Sequence, residues 1–383
     1  SFLFYPLSSE RDLHDICNIF ANVNSKGMKL STFDLMNAFL YPKGILLRKN
    51  LWENLVNEQL KQLDSSMGEY LLKSISLIKQ NYCSAKYLYN LIPGELTTRK
   101  DEQEQKYEEI LVENSSEFKQ LWNKSCKYSE NARKRIMNTG PGDFGAVKKD
   151  FIPNTTIVPV MAAILWEYNG DPDDQTFITQ MQKWYWSAVF SEDYSGSSDS
   201  VMAKDFRDWK EMLKSGKAIE RINRMTPDFI QELDIKDINK GSARYNAIIS
   251  MLALNNAQDF YKGRIVGTVD YSKESINDHH IFPSKISRLN PIKSSQFINN
   301  KDSIVNRTLL LDETNQIISN KKPSEYVGDM IRKHGSEEAV QSLLAAHFIN
   351  ESALIFMLDD DFDNFILERE REIKLFLISK LGL

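Results

Sequence analysis

Apolar residues recur at steps of three and four along most of this chain, the spacing that places them on one face of an α-helix. The first such segment is residues 12–20. The next carries a capping signature, because Ser31 precedes Asp34 by three positions and Pro42 closes the pattern. A charged, exposed helix start is predicted for residues 101–113. The other predicted helices cover residues 51–90, 154–166, 177–190, 203–214, 245–258 and 359–377.

Strand patterns are sparse and fall near the C-terminal end. They comprise residues 264–269, the residues around His279, and residues 303–311. The chain is therefore predicted to be mainly α, with a multi-helix region followed by a small β-containing unit embedded in helices. The aromatic segment 177–190, which includes Trp184 and Trp186, is predicted to be core.

Composition narrows the class of protein. The 383 residues contain 42% hydrophobic and 26% charged positions, which is typical of a soluble globular chain. The longest apolar run, residues 157–166, is too short to cross a bilayer, so we expect no membrane partner. Cys17, Cys83 and Cys126 are far apart, which favours a reducing, cytoplasmic compartment over a zinc ribbon.

Charge is unevenly distributed. The net charge is −5, but residues 279–333 carry nine Lys and Arg against five Asp and Glu, a local net charge of +4. A basic segment in an acidic chain suits contact with phosphates. On charge alone, a lysine-rich solvated surface explains the segment equally well.

The chemistry concentrates at a histidine pair. Residues 278–283 read DHHIFP, and the chain has only five histidines. Neighbouring side chains of a strand point to opposite faces, so His279 and His280 suit one metal ligand and one general base rather than a shared metal. Asn306 follows His280 by 26 positions and Asn315 follows nine later. An Asn oxygen at a helix start is a plausible hard ligand, and an Asn on the second strand can bond the backbone that carries the base.

These motifs resemble the HNH (ββα-metal) endonucleases. The segment 278–326, with DHHIFP, NRTL at 306–309 and SNKKPSEY at 319–326, is most similar to the C-terminal HNH domain of GmrSD-type modification-dependent restriction enzymes. Residues 303–325 are also similar, without a gap, to the HNH domain of the RNA-guided CRISPR nuclease. The resemblance implies that His279 and Asn315 bind a divalent metal, Mg²⁺ or Mn²⁺. It further implies that His280 is the general base and that Asn306 orients it.

The implied function is metal-dependent cutting or nicking of DNA in defence against phage or foreign, possibly modified, DNA. We expect the basic residues Lys285, Arg307 and Lys322 to hold the DNA backbone.

A second resemblance lies at the N-terminus. Residues 19–36 (IFANVNSKGMKLSTFDLM) are similar to the end of the ParB-like domain of the same family. The Asp-Gly-Gln-Gln-Arg motif of that domain is absent, so we assign no nucleotide site. The predicted domains are a ParB-like tail over 1–45, a helical domain over 46–262 and an HNH nuclease domain over 263–383. Because the chain opens on apolar residues after Ser1, we expect a fragment or processed product that lacks an N-terminal regulatory domain.

Other hypotheses remain open. The HNH unit of this acidic chain fits a DNA-sensing or regulatory module that binds without cutting, or a helical scaffold with a vestigial site. At the level of single residues, the histidine pair fits ordinary hydrogen bonding, and Asn315 fits a helix N-cap.

Overall fold

The structure is a computed structural model that describes residues 30–55, 57–100, 103–196, 198–268, 275–284, 294 and 296–383. As predicted, it is mainly helical. The α-helices are α1 (Thr32–Leu40), α2 (Glu58–Lys61), α3 (Met67–Gln80), α4 (Ala85–Leu88), α5 (Ser115–Met137), α6 (Val158–Glu167), α7 (Gln175–Phe190), α8 (Ser198–Ser215), α9 (Glu220–Arg224), α10 (Pro227–Glu232), α11 (Ala243–Leu254), α12 (Phe297–Asn300), α13 (Asp312–Ile318), α14 (Pro323–His334), α15 (Glu337–Ala345), α16 (Glu351–Leu358) and α17 (Phe362–Leu381). The strands are β1 (Leu96–Lys100), β2 (Lys106–Ile110), β3 (Ile276–His280) and β4 (Arg307–Leu311).

The chain divides into two compact units. Unit 1 comprises Ser1–Glu130, Val158–Glu167 and Asp199–Arg207, and unit 2 comprises Asn131–Ile157, Tyr168–Ser198 and Asp208–Leu383. The bounds of these two compact units differ from the predicted domain boundaries at residues 45 and 262. The three-domain division therefore stays a prediction.

Unit 1 is held together by helix packing. The predicted capping box at α1 is confirmed, because Ser31 Oγ accepts from the Asp34 amide at 3.2 Å while Asp34 accepts from the Ser31 amide at 3.0 Å. Helix α3 packs on α6, and Ser74 of α3 donates to the Pro159 carbonyl at 3.1 Å. The eight residues 158–165 of α6 are all buried, which confirms the predicted core helix.

Residues 103–113 do not form the helix start predicted for 101–113, of which residues 101 and 102 lie outside the described part of the chain. Strand β2 pairs antiparallel with β1, from Leu96 opposite Ile110 to Lys100 opposite Lys106. Glu104 in the connecting turn has a φ of +62°, a left-handed value that ends helical winding. The charged residues that favour a helix are here the exposed face of a hairpin.

Unit 2 has an aromatic core on α7. Trp184 and Trp186 are completely buried, as predicted, and Phe144 stacks on Tyr185 with ring centroids 3.8 Å apart. A strand was predicted for residues 264–269, of which residue 269 lies outside the described residues. Residues 264–268 instead contain a short 3-10 helix over Val266–Thr268, preceded by a lone bridge between Gln258 and Ile265. Gly267 lies inside this turn.

Strands β3 and β4 form an antiparallel pair in unit 2. Ile276 lies opposite Leu311, His279 opposite Thr308 and His280 opposite Arg307. Every residue of β4 is buried, and α13 begins at Asp312 with no intervening loop. Helix α11 packs on β4, and α17 packs on the 3-10 turn Ile304–Asn306 that precedes it. The predicted strand 303–311 is therefore shorter than expected, since it begins at Arg307.

Among the residues that the structure describes, none of the helices combines the length and hydropathy needed to cross a bilayer.

Candidate active site

The histidine pair lies at the end of β3, and the strand turns its two side chains to opposite faces. His279 is buried, with 6% of its surface exposed, whereas the His280 side chain is 21% exposed. The two imidazoles therefore occupy different environments although they are adjacent in sequence.

His279 meets Asn315. The His279 Nδ1 lies 2.5 Å from the Asn315 Oδ1. The direct passage from β4 into α13 produces this contact, because one turn of helix returns the chain towards β3. Burial lowers the pKa of His279 to about 4 against the opposing hydrogen bond from Asn315, so the imidazole is neutral at pH 7. Its Nε2 is buried and has no hydrogen-bond partner among the described residues.

Two donors of this kind could hold a divalent cation. A neutral imidazole nitrogen and an amide oxygen are ordinary ligands for Mn²⁺, and the oxygen also suits Mg²⁺. No group of three or more His, Cys, Asp or Glu converges within the described part of the chain. The protein would thus supply few ligands, which leaves positions for water and phosphate oxygens.

On the opposite face, His280 meets Asp302. The His280 Nε2 lies 2.8 Å from the Asp302 Oδ1, and the same oxygen accepts from Arg307 Nη2 at 2.8 Å. Burial and the Arg307 charge lower the pKa of His280, although Asp302 opposes them. The pKa of Asp302 falls to about 2, chiefly through its hydrogen bond with His280. Burial opposes this effect, and Lys301 and the Arg307 charge lower the pKa further.

Asn306 holds the backbone that follows the histidines. It is completely buried in the 3-10 turn before β4, not on the strand as predicted. Its Oδ1 accepts from the Phe282 amide at 2.8 Å, and its Nδ2 donates to the carbonyls of Phe282 (3.0 Å) and Lys301 (2.8 Å). The Asn306 side chain thus links the backbone of Phe282, which follows the histidine pair, to that of Lys301, which precedes Asp302.

The three residues expected to contact DNA have different positions. Lys285 lies outside the described residues. Arg307 is 8% exposed and has internal partners, since it donates to Asp302 and to the Asp278 carbonyl at 3.3 Å. Lys322 precedes α14, and its Nζ lies 3.7 Å from Asp360 Oδ2. The geometry gives Arg307 a positioning role in place of the expected surface contact.

Two other lysines lie beside the histidine strand and are more accessible. Lys240, whose side chain is 63% exposed, pairs with Asp278 at 2.9 Å, and Lys301, 37% exposed, pairs with Asp302 at 3.3 Å. Tyr245 also donates to Asp278, at 2.6 Å. Burial alone raises the pKa of Asp278, but these hydrogen bonds and the nearby cations outweigh it and hold that pKa below its ordinary value.

Sequence reasoning missed Arg369, a completely buried residue of α17. Its guanidinium donates to four carbonyls: Ile304 (3.2 Å), Val305 (2.6 Å), Arg307 (2.7 Å) and His347 (3.2 Å). A signal was present, because Arg369 lies on the apolar face of an amphipathic helix, where charged residues are rare.

Asp259 and Tyr326 were also missed, and both are distant in sequence from the groups that they hold. Asp259 accepts from the Leu311 amide at 2.9 Å and from the Thr314 hydroxyl at 2.5 Å, which caps α13 and so positions Asn315. The Tyr326 hydroxyl donates to the Ile281 carbonyl at 2.9 Å, directly after His280. No local pattern identifies Asp259, and the SNKKPSEY motif that ends at Tyr326 does not indicate this contact.

No family model matches the chain, and no solved structure matches it. The chain is 30% identical, over 407 aligned positions, to an uncharacterized protein of Methanocaldococcus jannaschii. The alignment takes in 97% of this chain and 63% of the relative, so the chain spans less than two thirds of that protein's length.

Proposed function

We propose that this protein is a metal-dependent endonuclease of the HNH type that cuts or nicks DNA. One observation carries the proposal: His279 faces Asn315 on one side of β3 while His280 is turned to the other side. The same strand therefore separates a pair of metal-binding donors from a general base, on a strand–strand–helix arrangement of β3, β4 and α13.

His280 would activate the attacking water. Its lowered pKa keeps the imidazole neutral near pH 7, so one ring nitrogen can accept a proton. The water oxygen bonds to phosphorus as its proton passes to His280, and the bond from phosphorus to the 3′ oxygen breaks. The products are a 5′ phosphate and a 3′ hydroxyl, whose proton comes from solvent.

His279 and Asn315 would hold the divalent cation, Mg²⁺ or Mn²⁺. When bound, the cation supplies positive charge beside the scissile phosphate and the departing 3′ oxygen. Asp259 supports this arrangement through its hydrogen bonds at the start of α13. Asn306 supports it by holding the backbone after His280.

DNA is the proposed substrate. Lys240 and Lys301 are accessible cations next to the histidine strand and suit contact with phosphates, together with Lys285 and Lys322. We further propose, from the resemblance of the HNH segment, a role in defence against phage or foreign DNA in the cytoplasm, with modified DNA as a candidate target. A regulatory domain outside this chain is a proposed partner.

The experiment is nicking of a supercoiled plasmid in Mg²⁺ or Mn²⁺ at low salt, with EDTA as the blank. We expect wild-type protein to nick and His280→Ala to lower the rate by about 10²- to 10⁴-fold, the contribution of a general base. His334→Gln is the matched control, because His334 bonds the Phe260 carbonyl and has no part in the proposed chemistry.

DNA binding by both variants is measured in parallel, without metal. Equal nicking by wild type and His280→Ala would overturn the proposal. Binding without nicking under every divalent ion would instead support the non-cleaving DNA-sensing module, which the net charge of −5 alone does not exclude.

A further inference from the structure

We propose that Asp302 is a positioning residue that fixes His280 in one tautomer, with hydrogen on Nε2 and the lone pair of Nδ1 directed to the attacking water. The inference rests on the nuclease function proposed above and names the nitrogen that takes the proton. Asp302 was not among the predicted site residues, and it lies 22 positions after His280.

The tautomer follows from the contact. The Asp302 Oδ1 lies 2.8 Å from His280 Nε2. An ionised carboxylate has no hydrogen to give, so Nε2 of a neutral imidazole must donate and Nδ1 must carry the lone pair. Within the described residues, Nδ1 has no hydrogen bond to protein, and the His280 side chain is 21% exposed. One nitrogen is thus occupied and the other is available to water.

Asp302 is itself held in place, although its side chain is half exposed. Its Oδ1 also accepts from Arg307 Nη2 at 2.8 Å, and its Oδ2 lies 3.3 Å from Lys301 Nζ. Arg307 lies opposite His280 in the strand pair, and its side chain is only 10% exposed. Its guanidinium is therefore fixed and holds Asp302 in one position.

The backbone on both sides of Asp302 is anchored too. The Lys301 carbonyl accepts from Asn306, and the Ser303 amide donates to the Asn300 carbonyl at 3.1 Å. A surface ion pair without function would need none of this support, since exposed pairs contribute little to stability. The arrangement instead has the form of a carboxylate that orients a histidine base.

The test compares Asp302→Ala with Asp302→Asn in steady-state plasmid nicking with Mn²⁺. We expect Asp302→Ala to lower kcat by about 10- to 100-fold, the usual cost of removing an orienting partner. KM should stay the same or fall, because loss of a negative charge favours DNA binding. Asn can present to Nε2 either an oxygen that accepts or an NH2 that donates and selects the other tautomer. Because Arg307 donates to the same position, the amide should keep its oxygen there, so Asp302→Asn should retain several-fold more kcat than Asp302→Ala.

Asp329→Ala is the matched control, because Asp329 of α14 forms ion pairs with Lys321 and Arg332, outside the proposed site. We expect its kcat to equal that of wild type. Thermal unfolding of each variant checks the fold, and Asp302→Asn carries the test if the alanine variant unfolds.

An unchanged kcat in Asp302→Ala, or equal losses in the Ala and Asn variants, overturns the role of Asp302 and leaves the nuclease intact. A wild-type protein that nicks under no divalent ion overturns both proposals.

Discussion

Two buried regions of this protein are built from different side chains. Helix α6 in unit 1 buries eight consecutive apolar residues, from Val158 to Leu165. Strand β4 in unit 2 buries five residues, of which Arg307 and Thr308 are polar. Apolar burial stabilises a fold and tolerates changes of shape. A buried polar network fixes one arrangement of its side chains, because each buried polar group left without a hydrogen bond destabilises the fold.

Three polar residues around β4 bond mainly to backbone groups. Arg369 bonds four carbonyls, Asn306 bonds an amide and two carbonyls, and Asp259 caps α13. These contacts determine where His279, His280 and Asn315 lie. We therefore expect the helical core to tolerate apolar substitutions and the polar network around the strand pair to tolerate few, and both expectations can be tested.

The largest stability effect is expected at Arg369. Arg369→Met keeps the apolar stem but removes the donors of four buried carbonyls, so the free energy of unfolding should fall by about 3–5 kcal/mol. Arg371→Met on the same helix, whose side chain is 58% exposed, should leave the free energy of unfolding almost unchanged. Met161→Leu in α6 should cost under about 1.5 kcal/mol. Urea unfolding measures all three, and a loss at Arg369 no larger than these controls would remove the distinction between the regions.

A smaller effect is expected at His347, which is completely buried beside β4. It donates from Nε2 to the Gln258 carbonyl at 2.7 Å and accepts on Nδ1 from Thr308 at 2.5 Å. Burial lowers its pKa to about 3, against the Gln258 hydrogen bond. As the pH falls, His347 is therefore protonated in the unfolded chain before it is protonated in the folded chain. The free energy of unfolding that neutral His347 contributes above pH 6.5 is lost as the pH falls towards 3.

At pH 5 this loss amounts to about 2 kcal/mol. His347→Gln does not titrate, so wild type should lose about 2 kcal/mol more than the variant between pH 7 and pH 5. Urea unfolding at the two pH values provides the measurement. Parallel losses in the two proteins would show that His347 does not titrate as a buried neutral group.

The two regions also differ in how far sequence predicts them. The cap at Ser31, the buried α6 and the aromatic core of α7 follow from local spacing, and the structure confirms them. The helix start predicted for residues 101–113 was wrong over the described residues 103–113, because their charge pattern fits a helix face and a hairpin edge equally well. Hairpin pairing, which depends on the turn at Glu104, decided between them.

At the candidate site, residue type and spacing identified His279, His280, Asn306 and Asn315, and the structure brings the first and last of these together. Arg307 looked like a surface cation, because a basic residue at the edge of a strand gives no sign that β4 is buried on both faces. Asp302 belongs to no motif. Asp259 accepts from the Leu311 amide across 52 residues, and Arg369 donates to the Arg307 carbonyl across 62 residues. Patterns along the chain carry little information on such contacts.

The most direct test of the central claim is a crystal structure with Mn²⁺, located by its anomalous scattering. We predict one Mn²⁺ within bonding distance of a His279 ring nitrogen and Asn315 Oδ1, with His280 on the opposite face and its Nε2 still on Asp302. Mn²⁺ bound elsewhere, with His279 and Asn315 still in mutual contact at a saturating concentration of the ion, would contradict the account.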